Sequence, residues 1–182
     1  WTRCCASWRP DHVDSPVVPL HTARLTLREM TTDDLDQVAA LLGDPRVMAH
    51  YPRPKTRDEA RTWIDRSRTS YRTHGFGLWT VTRRGSGEFV GDCGLTVQHV
   101  DGVDEIEVGY HVGPAHQGRG YATEAALACR DLARDHFGVT RLIAVITPGN
   151  LASQAVAERA GLTLEKRTQV HGLDRLVYAG AL

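Results

Sequence analysis

Gly118 and Gly120 lie in the run Val112-Gly113-Pro114-Ala115-His116-Gln117-Gly118-Arg119-Gly120-Tyr121-Ala122-Thr123-Glu124, which reads as a strand end, a glycine-bearing turn and a helix start. The first turn of a helix has backbone N–H groups without intrahelical acceptors, and the aligned peptide dipoles place partial positive charge there. Glycine at 118 and 120 lets successive N–H groups converge and lets a ligand approach where a Cβ would collide. The chemistry implied is recognition of a phosphate or pyrophosphate. Spacing narrows the choice of ligand. A dinucleotide fingerprint needs a third glycine where Thr123 stands, and no suitable βαβ unit opens the chain. A Walker-type loop fails as well, because no Lys followed by Ser or Thr closes the turn. A glycine-rich turn into an ordinary helix is the alternative that the rest of the chain must decide.

The elements that would position this turn follow from periodicity. Residues 1–19 carry Trp1, Cys4, Cys5, Trp8 and three prolines without a helical or strand period, and read as a loose arm or a processing remnant ahead of one domain over 20–182. Arg24 to Arg28 alternates as a strand. Thr32 or Asp33 can cap a helix whose Leu35, Val38, Ala39 and Leu42 share a face, ending at Asp44-Pro45. Thr56 and Glu59 form a capping box for a second helix along Ala60, Trp63, Ile64 and Ser67. Strands are expected over 77–83 and 88–97, joined by Arg84-Gly85-Ser86-Gly87, and a turn at Asp101-Gly102 leads into a strand over 104–112 that feeds the glycine turn. A helix over 123–136 stops at Gly138, and Arg141 to Ile146 is apolar enough for a central strand. A helix after Pro148-Gly149-Asn150 ends at Gly161, and strands over 163–170 and 173–178 turn at His171-Gly172. The strand before the glycine turn and the strand after its helix should run parallel through a right-handed crossover. The fold class expected is mixed α/β: a mostly antiparallel sheet with one parallel, splayed strand pair, flanked by helices.

Read as Gln117-x-x-Gly120-x-Ala122 with Val112 five residues ahead, the turn resembles the coenzyme A pyrophosphate loop of the GNAT superfamily of N-acetyltransferases. The element order is similar to that fold from about His21 to Leu182. Arg24-Leu25-x-Leu27-Arg28, Glu107-x-Gly109-Tyr110, Asn150-x-x-Ser153 and Gly161-Leu162 add to the resemblance, which is greatest toward the RimJ/RimL-type ribosomal-protein N-terminal acetyltransferases. The resemblance implies direct transfer of an acetyl group from acetyl-CoA to a primary amine, with a protein N-terminal α-amine favoured and an aminoglycoside, polyamine or amino acid as the alternative. A non-catalytic acyl-CoA sensor is the reading from another class.

The resemblance also implies roles for residues. Glu107 becomes the candidate base, because strand alternation puts Glu105, Glu107 and Gly109 on one side, shortly before the loop; an exposed carboxylate without a role is the plain alternative. Asp101, Asp104 and Glu105 make the neighbourhood acidic, which suits a cationic amine and suits a solvated turn equally. The family's tyrosine acid, seven residues after Asn150, is here Ala157, and Ser153 is the substitute. Coenzyme contacts are implied for Val112, Gln117, Gly118, Arg119, Gly120, Ala122 and Thr123, mostly through backbone N–H groups, and for Asn150, which can equally be a helix cap. Acceptor choice is implied for the stretches 51–54 and 168–174.

Composition limits the other classes. With 182 residues, 41% of them hydrophobic, the chain can bury one sizeable core. Its 22 basic and 22 acidic residues cancel, so no strong field favours nucleic acid or an anionic membrane. Neither a membrane span nor the apolar core of a signal peptide is visible, and a cytoplasmic protein, monomer or homodimer, is expected. Four cysteines in neither zinc nor disulfide spacing read as free thiols, and nine scattered histidines include no metal motif.

Overall fold

A computed structural model describes residues 18–182, so most of the expected N-terminal arm, with Trp1, Cys4, Cys5 and Trp8, lies outside the described residues. The first element is a short strand, β1 (Leu20–His21), pairing with β2 (Leu25–Arg28). Only two residues long, β1 is too short for alternation to reveal, and the first strand expected from the sequence is the next one, at Arg24 to Arg28. A single 3₁₀ turn, Thr32–Asp34, leads into helix α1 (Leu35–Gly43), and helix α2 (Arg57–His74) follows. The Thr56–Glu59 capping box forms as its spacing requires, and Gly75 closes α2 in the left-handed region at φ 78°.

Strands β3 (Leu78–Arg83), β4 (Phe89–Val100) and β5 (Val103–Val112) form an antiparallel meander. β4 runs three residues beyond its expected end, because the two-residue turn at Asp101-Gly102 keeps the ladder paired up to Val100 and Val103. A 3₁₀ turn, Pro114–His116, and the glycine turn lead into helix α3 (Tyr121–Asp135), which starts two residues earlier than the sequence suggested. Strand β6 (Arg141–Ile146), helix α4 (Leu151–Arg159) and strands β7 (Thr163–Val170) and β8 (Leu173–Ala181) complete the chain.

Among the described residues, eight strands form one sheet in the order β1-β2-β3-β4-β5-β6-β8-β7. Every pairing is antiparallel except β5 with β6, where α3 makes the crossover and a single residue pair, Glu107 with Ile143, is in register. Beyond that pair the strands separate and leave an opening in the middle of the sheet. This is the splayed pair expected from the element order.

Helices cover both faces. Successive strand residues point to opposite sides: Leu78 packs with Met30, Val38, Leu42, Met48, Ala60 and Ile64 under α1 and α2, whereas Trp79 joins the cluster formed by Ala125, Ala126, Cys129 and Ala133 of α3. Small residues on α3 bring its axis close to the sheet, and Trp79, at 1% exposure, fills the space beneath. A third, smaller cluster joins Val100 and Ile143 to Val170, Val177 and Ala179. Cys93 and Cys129 are free thiols in the core, 3.6 Å apart, and burial pushes the Cys93 thiol up. No helix among the described residues is long and apolar enough to cross a membrane.

Candidate active site

At one end of β5 the chain turns through Gly118 at φ 72° and Gly120 at φ 79°, both in the left-handed region that favours glycine. Gly120 is the N-cap of α3 and its carbonyl accepts from Glu124 N–H. The first-turn amides of Tyr121, Ala122 and Thr123 therefore face away from the helix with no intrahelical acceptor. A Cβ at Gly118 would meet open space, so the turn is open outward. Three bonds hold it in place. Gln117 Nε2 donates to the Val112 carbonyl at 3.0 Å, Arg24 Nη1 donates to the Arg119 carbonyl at 3.0 Å, and Arg24 Nε pairs with Glu124 at 2.6 Å. A cluster of outward N–H groups at a helix start fits a pyrophosphate. The structure thus brings Val112, Gln117, Gly118, Arg119, Gly120, Ala122 and Thr123 together at one end of the opening between β5 and β6.

Glu107 stands at the apex of that opening. Its backbone is in register with Ile143, and its Oε1 accepts from Val145 N–H at 3.1 Å, so the carboxylate lies between the two strands. Its Oε2 accepts from Thr96 Oγ1 at 3.0 Å and from Gln98 Nε2 at 2.7 Å. Burial raises the Glu107 pKa above the usual carboxylate range, against the pull of these donors and of His111. Glu107 is therefore a hydrogen-bonded carboxylate between two strands and not an exposed one.

The other acids near the turn are already paired. Asp101 meets Lys166 at 2.8 Å and Thr168, Asp104 meets His99 at 2.8 Å, and Glu105 shares Arg141 with Glu165. Lys166 and Arg141 compensate part of this charge within the protein.

On the other side of the opening, Asn150 caps α4 by accepting from Ser153 N–H at 3.1 Å. Ser153 Oγ donates to Tyr110 Oη at 3.1 Å, and Tyr110 Oη donates to the Ser153 carbonyl at 2.9 Å. Both hydroxyl hydrogens are thereby engaged, and the pair fastens α4 to β5. Ala157 is fully buried in the core, and its methyl group offers no proton.

Sequence reasoning missed a further chain of groups. His111, on the same side of β5 as Glu107, has Nδ1 2.7 Å from Asp92 Oδ1 and Nε2 2.7 Å from Tyr51 Oη. Trp63 Nε1 donates to the other Asp92 oxygen at 3.1 Å. The Asp92 side chain is 0% exposed and that of His111 is 9% exposed. Burial opposes protonation of His111, but the Asp92 carboxylate and the Tyr51 oxygen outweigh it and lift the pKa to about 10. A signal for part of this existed. A two-residue turn at Asp101-Gly102 pairs residues equidistant from it, which sets Thr96 opposite Glu107 and Asp92 opposite His111.

Comparison with known proteins agrees with this geometry. The family described as acetyltransferase (GNAT) domain matches residues 24–163. The uncharacterized protein YkkB of Bacillus subtilis is 36% identical over 150 residues, covering 81% of this chain and 86% of that protein. An FsC-acetyl coenzyme A-N(2)-transacetylase of Aspergillus fumigatus is 36% identical over 155 residues, 79% of this chain and 64% of that protein. An acetyltransferase from Agrobacterium tumefaciens has a similar structure, with a TM-score of 0.78 at 30% identity over 88% of this chain and 92% of that one. The chain belongs to the GNAT family of acetyltransferases and is an acetyl-CoA-dependent N-acyltransferase acting on an amine.

Proposed function

We propose that the protein transfers the acetyl group to a primary amine by direct attack, with Glu107 accepting the amine proton itself or through one water. The observation that carries this reading is the place of Glu107: its carboxylate lies inside the opening between β5 and β6, at the apex, with the anion-binding turn at the far end of β5. When bound, acetyl-CoA supplies a thioester activated toward attack. The N–C bond forms as the C–S bond breaks, one proton leaves the amine and one reaches the sulfur. In this reading the N–H groups of Gly118 to Thr123 hold the pyrophosphate, Val112 and Asn150 hold the arm that follows, and Ser153 serves the sulfur. That last role requires the Ser153 hydroxyl to turn away from Tyr110.

A raised carboxylate pKa makes Glu107 a better proton acceptor than an ordinary surface acid. Even so, the demand on the base depends on the amine. An α-amine of pKa about 7.7 to 8 is roughly a tenth to a sixth neutral at pH 7, and a lysine amine near 10.4 only about 0.04%. An α-amine therefore asks least of a single, partly shielded carboxylate. This favours a protein N-terminus of the RimJ/RimL type over a lysine-like primary amine.

The test is release of free coenzyme A thiol from acetyl-CoA in the presence of single amines: peptides with free N-termini, the same peptides blocked at the N-terminus but carrying lysine, a polyamine, an aminoglycoside and free amino acids. Turnover confined to free N-termini supports the acceptor proposed. Turnover confined to a small amine moves the acceptor class and keeps the mechanism. Tight binding of acetyl-CoA without turnover on any amine would indicate the sensor reading.

A further inference from the structure

The connection between α1 and α2 crosses the opening in the sheet. On one side Tyr51 Oη meets His111 of β5, and on the other the His50 carbonyl accepts from Thr147 Oγ1, just past β6, at 3.1 Å. His111 and Thr147 each lie four residues beyond the Glu107–Ile143 pair, so the strap ties the two separating strands at equal height. Tyr51 is 39% exposed while His111 and Asp92 behind it are buried, so the residue stands between the surface and the buried pair, with its hydroxyl on His111.

The hydrogen-bond inventory determines which way that hydroxyl works. A carboxylate only accepts, so His111 Nδ1 carries a hydrogen toward Asp92. With the ring positively charged, Nε2 also carries a hydrogen and donates it to Tyr51 Oη. The hydroxyl hydrogen of Tyr51 is then free to point outward. A neutral ring would reverse the bond, with Tyr51 donating inward and nothing left to offer. Asp92, buried and held by a second donor from Trp63, compensates the cationic ring. The charged and titratable groups facing His111 are Asp92 from β4, Tyr51 from the strap and Glu107 from its own strand. Trp63 of α2 is uncharged, and Lys55 lies over its ring at 5.3 Å.

We propose that Tyr51 is a catalytic residue of this enzyme: its hydroxyl, fixed by His111 and Asp92, donates a hydrogen bond to the acyl oxygen of bound acetyl-CoA as negative charge gathers there. His111 and Asp92 are positioning residues that keep the donor aimed and place a cation behind it. This rests on the acetyl-transfer reading above and deepens it, because the group comes from a different element than Ser153 and acts on oxygen rather than sulfur. A donor prepositioned toward developing negative charge in a shielded site needs no reorganisation as the charge forms.

Isotope-edited infrared spectroscopy of acetyl-CoA labelled with ¹³C at the carbonyl, bound without amine, reads the contact directly. The carbonyl band shifts to lower frequency in the wild-type complex and returns toward its solution position in Tyr51→Phe. In turnover, Tyr51→Phe loses about a hundredfold in kcat, the scale for removing one such donor, while KM for both substrates stays within about twofold. Asp92→Asn moves the alkaline loss of activity to lower pH, because His111 then sheds its proton earlier; the same profile in both proteins would remove Asp92 and His111 from the role. An unchanged carbonyl band in Tyr51→Phe overturns the proposal, as does a raised amine KM with kcat intact, which would make Tyr51 a specificity residue. Failure of the acetyl-transfer reading is distinct: wild-type protein would then show no stabilisation by acetyl-CoA and no bound carbonyl band at all.

Discussion

Replacing Gly120 by valine tests the glycine turn separately from the rest of the molecule. A Cβ at Gly120 would come within 3.4 Å of Arg24 Nη2, the far end of a flexible side chain, so space alone does not forbid the change. The backbone does resist it, because Gly120 holds φ 79° and a β-branched residue there costs on the order of 1 to 3 kcal/mol. For a domain of this size each kcal/mol is worth about 2 to 4 °C, so the variant should melt roughly 2 to 12 °C below wild type and still unfold cooperatively. Its loss of ligand response should be much larger in proportion. Acetyl-CoA at 100 times its Kd adds about 2.7 kcal/mol to the wild-type protein, or roughly 5 to 10 °C. In Gly120→Val the backbone around the N-cap either relaxes away from φ 79° or carries a methyl pair into the anion's path, and the shift should fall to near zero at the same concentration. Thermal unfolding with and without acetyl-CoA, with NAD and ATP as controls, measures both quantities in one experiment. A folded variant that keeps the full acetyl-CoA shift would refute the assignment of this turn to the pyrophosphate.

Glu107→Gln should lower kcat far more than it changes the affinity for acetyl-CoA, and it should abolish the acidic limb of the pH–rate profile, which in wild type lies above the usual carboxylate pKa because burial raises that of Glu107; a full-rate variant would assign proton removal to solvent. His111 should make stability fall at alkaline pH. Its folded pKa of about 10 exceeds the unfolded value near 6.5, so its contribution is complete below about pH 6.5 and is lost as pH rises through 10. That amounts to at most about 5 kcal/mol, read by urea unfolding across this range, and Asp92→Asn should flatten the curve. Asp34, 2% exposed, accepts from Arg28 at 2.6 and 2.8 Å, from Thr31 N–H at 2.8 Å and from Thr80 at 3.1 Å. Asp34→Ala should cost about 3 kcal/mol, toward the low end for a broken buried pair because Arg28 is 40% exposed, and should lower Tm by roughly 6 to 12 °C without changing KM.

Most of the scaffold could be read from local signals because it is built from them. The Thr56–Glu59 box, the Asp101-Gly102 turn and the apolar run of β6 each state their structure within a few residues. Glu107 was legible as a candidate because the family resemblance implies an acid at that position, and alternation and its distance from the glycine turn agree with it. Its environment was not, since the Val145 N–H that holds it arrives from a strand 38 residues away. Asp92 and His111 could have been found by counting outward from the hairpin turn. Tyr51 could not, because it reaches His111 from an irregular connection whose path is set only when Thr147 holds His50. The position of Ala157 shows the reverse limit: its identity removed the expected acid at once, but only the packed structure shows that it serves as core.

The parting of β5 from β6 gives this sheet an inner border as well as its two outer ones. Strand edges invite pairing with other chains, yet this border faces into a wedge that narrows to the Glu107–Ile143 pair, and no second strand can slide into a gap closed at one end. Glu107 itself occupies one of the vacant partners by accepting from Val145 N–H. What remains suits a slender chain that carries its own amides, entering from the wide end and stopping where the sheet closes. The closed end of the sheet, with the Glu107 carboxylate held across it, limits how far anything entering the wedge can reach.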